Sequence, residues 1–509
     1  MFTATAEGGD AQRTVARVWH VTLDRLADTP LAGQLLRQLA WYAPDDIPRD
    51  LLAGTADEPD VLAALGRLAA YSMINLTGDA IGVHRLVQAV TRTPDPNDPH
   101  RRPDDVTAAR DTAANTLITA LSRHHHASVA SWRMYRLAVP HAQALLDHTT
   151  SGHETPTTFL LLNNLGVYFE AQGDVKTAIT HLTRAVQGLG DLLGPDHVDT
   201  MKSRNNLANA FESAGDLGRA VPLYEATLAD RERVLGPDDP STLMSRNNLA
   251  SAYVSAGDLW RAIPLLEAVL SDYERVLGPD HPDVLTSRNN LAYAYRVVGD
   301  LGRAIPLFEA VRSDCERVLG PDHPSTLMSR NNLAGAYVSA GDLGRAIPLY
   351  EATLADRERV LGPDHPSTLM SRNNLAHAYQ AMGDLGRAVP LFEAVRSDCE
   401  RVLGPDHPDT LLLRNNLASA YRAVGDLGRA IPLFEAALSD YERVLGPDHP
   451  TTLMSRNNLA SAYRAVGDLG RAVPLYEATL TGCERVLGPD HPTTKVVRSG
   501  LQATIRTDG

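Results

Sequence analysis

Lysine is almost missing from this chain. Lys176, Lys202 and Lys495 are the only three in 509 residues, so nearly every cation is an arginine, a bias that codon usage in a GC-rich genome produces unaided. None of the three follows a glycine, which excludes the GxxxxGK[ST] phosphate cradle of a P-loop nucleotide-binding domain. Cysteine is as scarce: Cys315, Cys399 and Cys483 recur at one position of alternate structural units. Neighbouring helices pack about 8–10 Å apart, so these cysteines exceed the ~7 Å Cα separation that a disulfide tolerates. Free thiols fit a reducing compartment. No run of 18 apolar residues exists, and MFTATAEGGDAQRT lacks the apolar core of a signal peptide, so the expected location is cytoplasmic, without membrane contact. A net charge of −14 excludes a nucleic-acid binder that relies on a general basic surface.

Catalytic constellations are missing too. There is no HExxH, nucleophile elbow or clustered CxxC, so neither an enzyme, a cofactor site nor a metal centre is expected. His124-His125-His126 does not serve as a ligand set, because successive helical residues fan out by about 100°. The Asp-His of each GPDHP belongs to a turn.

What the chain has is repetition. The stretch RNNLASAYVSAGDLWRAIPLLEAVLSDYERVLGPDHP (Arg246–Pro282) recurs every 42 residues without slipping register, with Asn-Asn doublets from Asn163-Asn164 to Asn457-Asn458. A fixed period of this size marks a stacked-repeat architecture. In the copy at Leu243–His281 the spacing predicts a first helix over Leu243–Ala256, stopped at Gly257. A second helix follows over Leu259–Leu277, with Asp258 as N-cap. Pro264 falls near that helix's start, where it removes at most one hydrogen bond. Leu249, Ala250 and Tyr253 should face Ala262, Ile263, Leu266 and Leu270, leaving apolar surface that only the next repeat covers.

The marks LA--Y, GD, RA and the closing GPDHP resemble a tetratricopeptide repeat. The 42-residue form with NNLA and LGPDHP is similar to the kinesin-light-chain class. The resemblance spans about Thr157 to Pro492 and implies a right-handed α-solenoid of eight repeats over 153–490, with a capping helix and tail over 491–509. It also implies that the first helices line a concave groove. Upstream, after a disordered lead (1–15), residues 16–93 give helical spacing in TVARVWHVTLDRLA, PLAGQLLRQLAWYA, IPRDLLAG and EPDVLAALGRLAAYS. MINLTGDAIGVHRLV then reads as a β-hairpin about Gly78-Asp79. WHVTLDRL, LLRQLAWYAPDDIPRDLL, LAALGRLAAYSMI and VHRLVQAV resemble the winged-helix part of STAND (NB-ARC-like) signalling ATPases. A Pro-rich polar linker over 94–103 follows, and the helical connector 104–152 resembles the one that leads into the repeats of such proteins. The fold class expected is all-α, with this small winged-helix-like domain ahead of the solenoid.

Helical spacing puts the first Asn of each doublet on one stripe with the residues four, seven and eight later, away from the partner helix. Asn205, Asn247, Asn289, Asn331, Asn373, Asn415 and Asn457 form the constant row. Asn209, Tyr293 and His377 stand among the variable residues four on, and Arg296, Gln380, Arg422 and Arg464 among those seven on. A carboxamide both donates and accepts, so it pairs with any peptide backbone while variable neighbours set preference. The same doublets could instead tie adjacent first helices together. Arg422 and Arg464, with Arg414 and Arg456 beside the doublets, give the C-terminal groove a cationic lean, and Glu170 and Glu212 an acidic lean at the other end.

The resulting expectation is a non-enzymatic scaffold or sensor arm of a STAND-type system. It would bind a protein or peptide in the groove and pair with a separately encoded nucleotide-binding domain. A DNA-binding regulator is the second reading, although Arg67 is the sole cation on the nominal recognition helix Val61–Tyr71. A remnant of a larger ATPase is the third.

Overall fold

A computed structural model describes residues 19–26, 28–122, 129–150 and 152–506. The expected lead and His124–His126 lie outside the described residues. Two compact units emerge, one of residues up to 171 with 177–203, the other of 172–176 and 204 onward.

In the first unit a helical stretch (19–25) precedes α1 (Pro30–Leu39), β1 (Ile47–Pro48), α2 (Glu58–Ala70), β2 (Ile74–Thr77), β3 (Ala80–Val83), α3 (Arg85–Arg92), α4 (Pro103–Ser122) and α5 (Val129–His148). The expected hairpin is present, with β2 and β3 antiparallel and Gly78 at φ +57° in the turn. Two local details differ. IPRDLLAG opens with β1, which pairs with β3 to complete a three-stranded sheet, and only then makes a short 3₁₀ turn over Arg49–Leu52. The second hairpin strand stops at Val83, because His84 caps a helix: its Nδ1 accepts from the Leu86 N–H at 3.2 Å. Trp19, Leu35, Leu65, Ile81, Leu117 and Leu145 share one core, so this small sheet and α4–α5 are packed together. Arg101 ties the 94–103 stretch down through Asp98 (2.9 Å), Asp95 (3.2 Å) and the Thr93 carbonyl (3.1 Å).

The repeats alternate two kinds of helix. First helices are α6 (Pro156–Ala171), α8 (Val198–Ser213), α10 (Pro240–Ser255), α12 (Pro282–Val298), α14 (Pro324–Ser339), α16 (Pro366–Ala381), α18 (Pro408–Ala423) and α20 (Pro450–Ala465). Second helices are α7 (Val175–Leu193), α9 (Leu217–Val234), α11 (Leu259–Leu277), α13 (Leu301–Leu319), α15 (Leu343–Leu361), α17 (Leu385–Leu403), α19 (Leu427–Val444) and α21 (Leu469–Val486), after which comes α22 (Pro492–Arg506). The first helix of the reference copy starts at Pro240, earlier than the Leu243 that apolar spacing indicates. Proline at the first helical position is preorganised and loses no bond that the helix would make. Pro264 lies inside α11, which runs through it.

Four letters of GPDHP have a job, the last being the proline that starts the next first helix. Gly278 ends α11 at φ +82°, a conformation open to glycine. Asp280 takes Arg317 of the next repeat (2.6 and 3.0 Å), and the same rung recurs as Asp238–Arg275, Asp322–Arg359, Asp364–Arg401 and Asp406–Arg443. His281 caps α12, its Nδ1 accepting from the Asp283 N–H at 3.2 Å. The core also reaches further along the second helix than expected, since Val269 and Tyr273 are buried with Ala262 and Leu266. Position 273 varies between copies (Arg231, Cys315, Arg357, Cys399, Tyr441, Cys483) yet is buried in all of them. Variation here is therefore not exposure. Arg231 is satisfied by the Ser241 carbonyl (2.8 Å) and Ser245 Oγ (2.6 Å).

Candidate functional site

The stripe identified from the helical period lines a real recess. Ser251, Val254 and Ser255 of α10 face Asn290, Tyr293 and Val297 of α12 across a cavity of about 480 Å³, floored by Leu266 and bounded by His491 and Pro492. Leu249 and Tyr253 point the other way and are buried.

The Asn doublets form a ladder through the second unit. Asn248 Nδ2 donates to Asn205 Oδ1 (3.3 Å), Asn290 to Asn247 (3.3 Å), Asn332 to Asn289 (3.0 Å), Asn374 to Asn331 (3.2 Å), Asn416 to Asn373 (2.9 Å) and Asn458 to Asn415 (3.4 Å). Adjacent first helices are thereby braced, which was the alternative to a ligand role. Of the pair at the recess, the second residue, Asn290, contributes to the lining, while Asn247 is the acceptor behind it. The last first Asn, Asn457, lacks this partner because Ser499 and Gly500 replace the doublet on α22.

The arginine before each doublet does not give the groove positive charge, contrary to the sequence reading. Arg414 pairs with Glu400 (3.1 Å) and Asp440, and its side chain is 13% exposed; Arg456 pairs with Glu442 (2.7 Å). One residue earlier in a helix is a turn of about 100°, which aims these guanidiniums at the second helices. Tyrosine is fixed likewise: Tyr253 donates to Glu225 of the preceding repeat (2.6 Å) and carries the Arg261 guanidinium 4.3 Å over its ring, while Arg261 also binds Asp258.

Positions four after the first Asn divide. Asn209 accepts from the buried Tyr224 hydroxyl, His377 sits edge-on to Phe392 (4.9 Å), and a Cβ on Gly335 would come within 3.3 Å of the Tyr350 hydroxyl. Burial holds the His377 imidazole pKa below its usual range. In these three copies the position meets an aromatic on the partner helix, a link that no single-helix pattern reveals. Tyr293 is the departure, 43% exposed at the recess. Among positions seven on, Arg296 lies 4.9 Å over the Tyr293 ring and reaches Ser339 of the next repeat (3.4 Å). Gln380 keeps a buried Oε1 without a hydrogen bond, Arg422 is exposed and Arg464 half-buried. At the other end Glu212 accepts from Ser255 (2.7 Å) and lies 3.1 Å from the Tyr224 hydroxyl, whose one proton goes to Asn209, and burial pushes its carboxyl pKa up. The stripe therefore lines a recess around Tyr293, and its positions seven and eight meet across neighbouring repeats at Glu212–Ser255 and Arg296–Ser339.

Tetratricopeptide repeat models match residues 157–232, 242–283, 288–358, 336–397, 371–442 and 412–485. The chain belongs to the tetratricopeptide repeat family. Its solved neighbours include nearly identical TPR-like repeats of a Podosopora anserina kinesin light chain, 35% identical over 40% of this chain and 95% of that one, TM-score 0.35. BtubC from P. vanneervenii is 21% identical over 45% and 92% of the two chains, TM-score 0.38. A Rap protein complexed with Competence and Sporulation Factor shares the fold at 12% identity over 75% and 98%, TM-score 0.50. No curated protein sequence matches. Tetratricopeptide arrays suggest protein–protein interaction scaffolds, a role that requires surface and no chemistry. Among the described residues no helix is long and apolar enough to cross a membrane, and no group of three His, Cys, Asp or Glu is placed to hold a metal.

Proposed function

We propose that this tetratricopeptide array binds an extended polypeptide laid across its first helices, with Tyr293 and Arg296 as anchors. The observation that carries this is the recess formed by Ser251, Val254 and Ser255 with Tyr293 and Val297, the positions four, seven and eight beyond the first Asn. Tyrosine and arginine are the side chains that most often dominate interface energies, and here one supports the other. The invariant Asn, Arg and Tyr letters make bonds within the array, which supports placing selectivity on the variable stripe.

The test is capture from lysate by the full chain, with Tyr293→Ala, Arg296→Ala and, as a control on α11, Val276→Ala. Partner recovery should persist with Val276→Ala and fall with either groove variant. Equal recovery by all four proteins overturns the reading. The N-terminal unit would dock a separately encoded nucleotide-binding domain, a role taken from the resemblance of its sequence to the winged-helix part of STAND ATPases. ATP should then not bind the chain by itself, and saturable binding in calorimetry overturns this part. The DNA-binding reading loses support from Arg67, whose guanidinium is engaged by both Asp28 carboxylate oxygens (2.6 and 2.8 Å).

A further inference from the structure

Within the second unit the array touches itself at three rungs. A Cβ on Gly173 would lie 2.3 Å from Pro408 Cδ, one on Gly215 2.4 Å from Pro450 Cδ, and one on Gly257 2.7 Å from His491 Cδ2. Each rung seats the His-Pro start of a late first helix, or of α22, in the turn after an early first helix. His449 Nε2 adds a 3.2 Å contact to the Ser213 carbonyl, and Lys176 Nζ one of 3.4 Å to the Arg443 carbonyl.

The remaining turns carry the same letters and are open. SAGDLGRA at 339–346 is identical to the seated SAGDLGRA at 213–220, yet a Cβ on Gly341 meets nothing within 4 Å. The same holds at Gly299, Gly383, Gly425 and Gly467. Beside these open turns Val298, Met382, Val424 and Val466 are 43–49% exposed, a row of apolar side chains along one edge. The complementary starts recur at the same 42-residue spacing: GPDHP precedes α12, α14 and α16.

We propose that this open edge accepts a second copy of the chain, whose early GPDHP helix starts seat in the open turns as Pro408, Pro450 and Pro492 do within one copy. The occupant follows from continuity: the seam already joins these two surfaces, and their sequences and spacing repeat on either side of it. Turn against helix start is a heterologous contact, so each added copy exposes a fresh edge and assembly does not close at a dimer.

Sedimentation velocity of the full chain across a broad concentration range tests this, beside the double variant Ala340→Arg, Val424→Arg. Both sites are exposed at the C-terminal ends of helices, where arginine suits the helix dipole. Wild type should gain mass progressively with concentration, passing beyond two chains, while the variant keeps the mass of one chain with unchanged helicity and melting temperature. A wild type of 55.0 kDa at every concentration overturns the proposal. So does a mass that stops at two chains, or a variant that associates as wild type does.

Discussion

Replacing Asn416 with alanine tests whether the Asn ladder holds the stack. Its Nδ2 donates to Asn373 Oδ1 at 2.9 Å, the shortest rung, between residues 8% and 3% exposed. Alanine removes the donor and strands the Asn373 carbonyl in a site that water barely reaches. An unmet buried acceptor costs about 1–3 kcal/mol. In Asn373→Ala the loss falls partly on the same bond, so the double variant should cost less than the two singles together. A coupling of about 0.5–1.5 kcal/mol is expected for one hydrogen bond between contacting residues. Asn457→Ala supplies the contrast, because no doublet on α22 donates to it, and its cost should be the smaller. A repeat array does not unfold as a single two-state unit, so the readout is amide exchange in α16 and α18, supported by thermal melts. Additive single variants, or an Asn457→Ala as costly as Asn416→Ala, would refute the ladder. Loss of partner capture with unaltered exchange would instead return the Asn row to the ligand.

Three further outcomes follow from local geometry. Gly335→Ala should be near neutral in wild type, where a helix gain of about 1 kcal/mol meets the Tyr350 hydroxyl at 3.3 Å, and should stabilise in full only in a Tyr350→Phe background, as read by chemical denaturation. Glu212, whose pKa burial raises above 4.5, favours its protonated form when folded, so it costs stability as pH rises through that value. Glu212→Gln should therefore melt higher than wild type at neutral pH, with the gap closing in acid; a gap that widens in acid contradicts the sign. The Cys399 thiol, buried and pushed up to about 12, should resist alkylation in the native state and react only on unfolding, measured by mass spectrometry under increasing denaturant.

The helices were legible because their signals are local: apolar spacing, a stopping glycine and an aspartate at the N-cap position of the second helix; the histidine caps and the proline at the first position of the first helices emerged only from the structure. Register was legible because eight copies agree. The short strand at Ile47–Pro48 was not, since two residues acquire strand character only by pairing with β3, which lies beyond the next helix. The candidate stripe was legible as a helix face. That Asn209, Gly335 and His377 each answer an aromatic on the partner helix was not, because that constraint joins two helices.

The sequence by itself determined the unit, its period and its helix stops, set by the 3.6-residue turn and by backbone geometry at glycine, while Asp258 stands at its expected N-cap position without a side-chain cap bond. Tertiary structure alone decided what the invariant polar letters do. Asn joins Asn, Arg joins Glu and Asp, and Tyr joins Glu across repeats, where distance in space and not in sequence fixes the partner. It also decided that the array returns to touch itself. That contact depends on how small rotations between repeats accumulate, a quantity no single repeat contains.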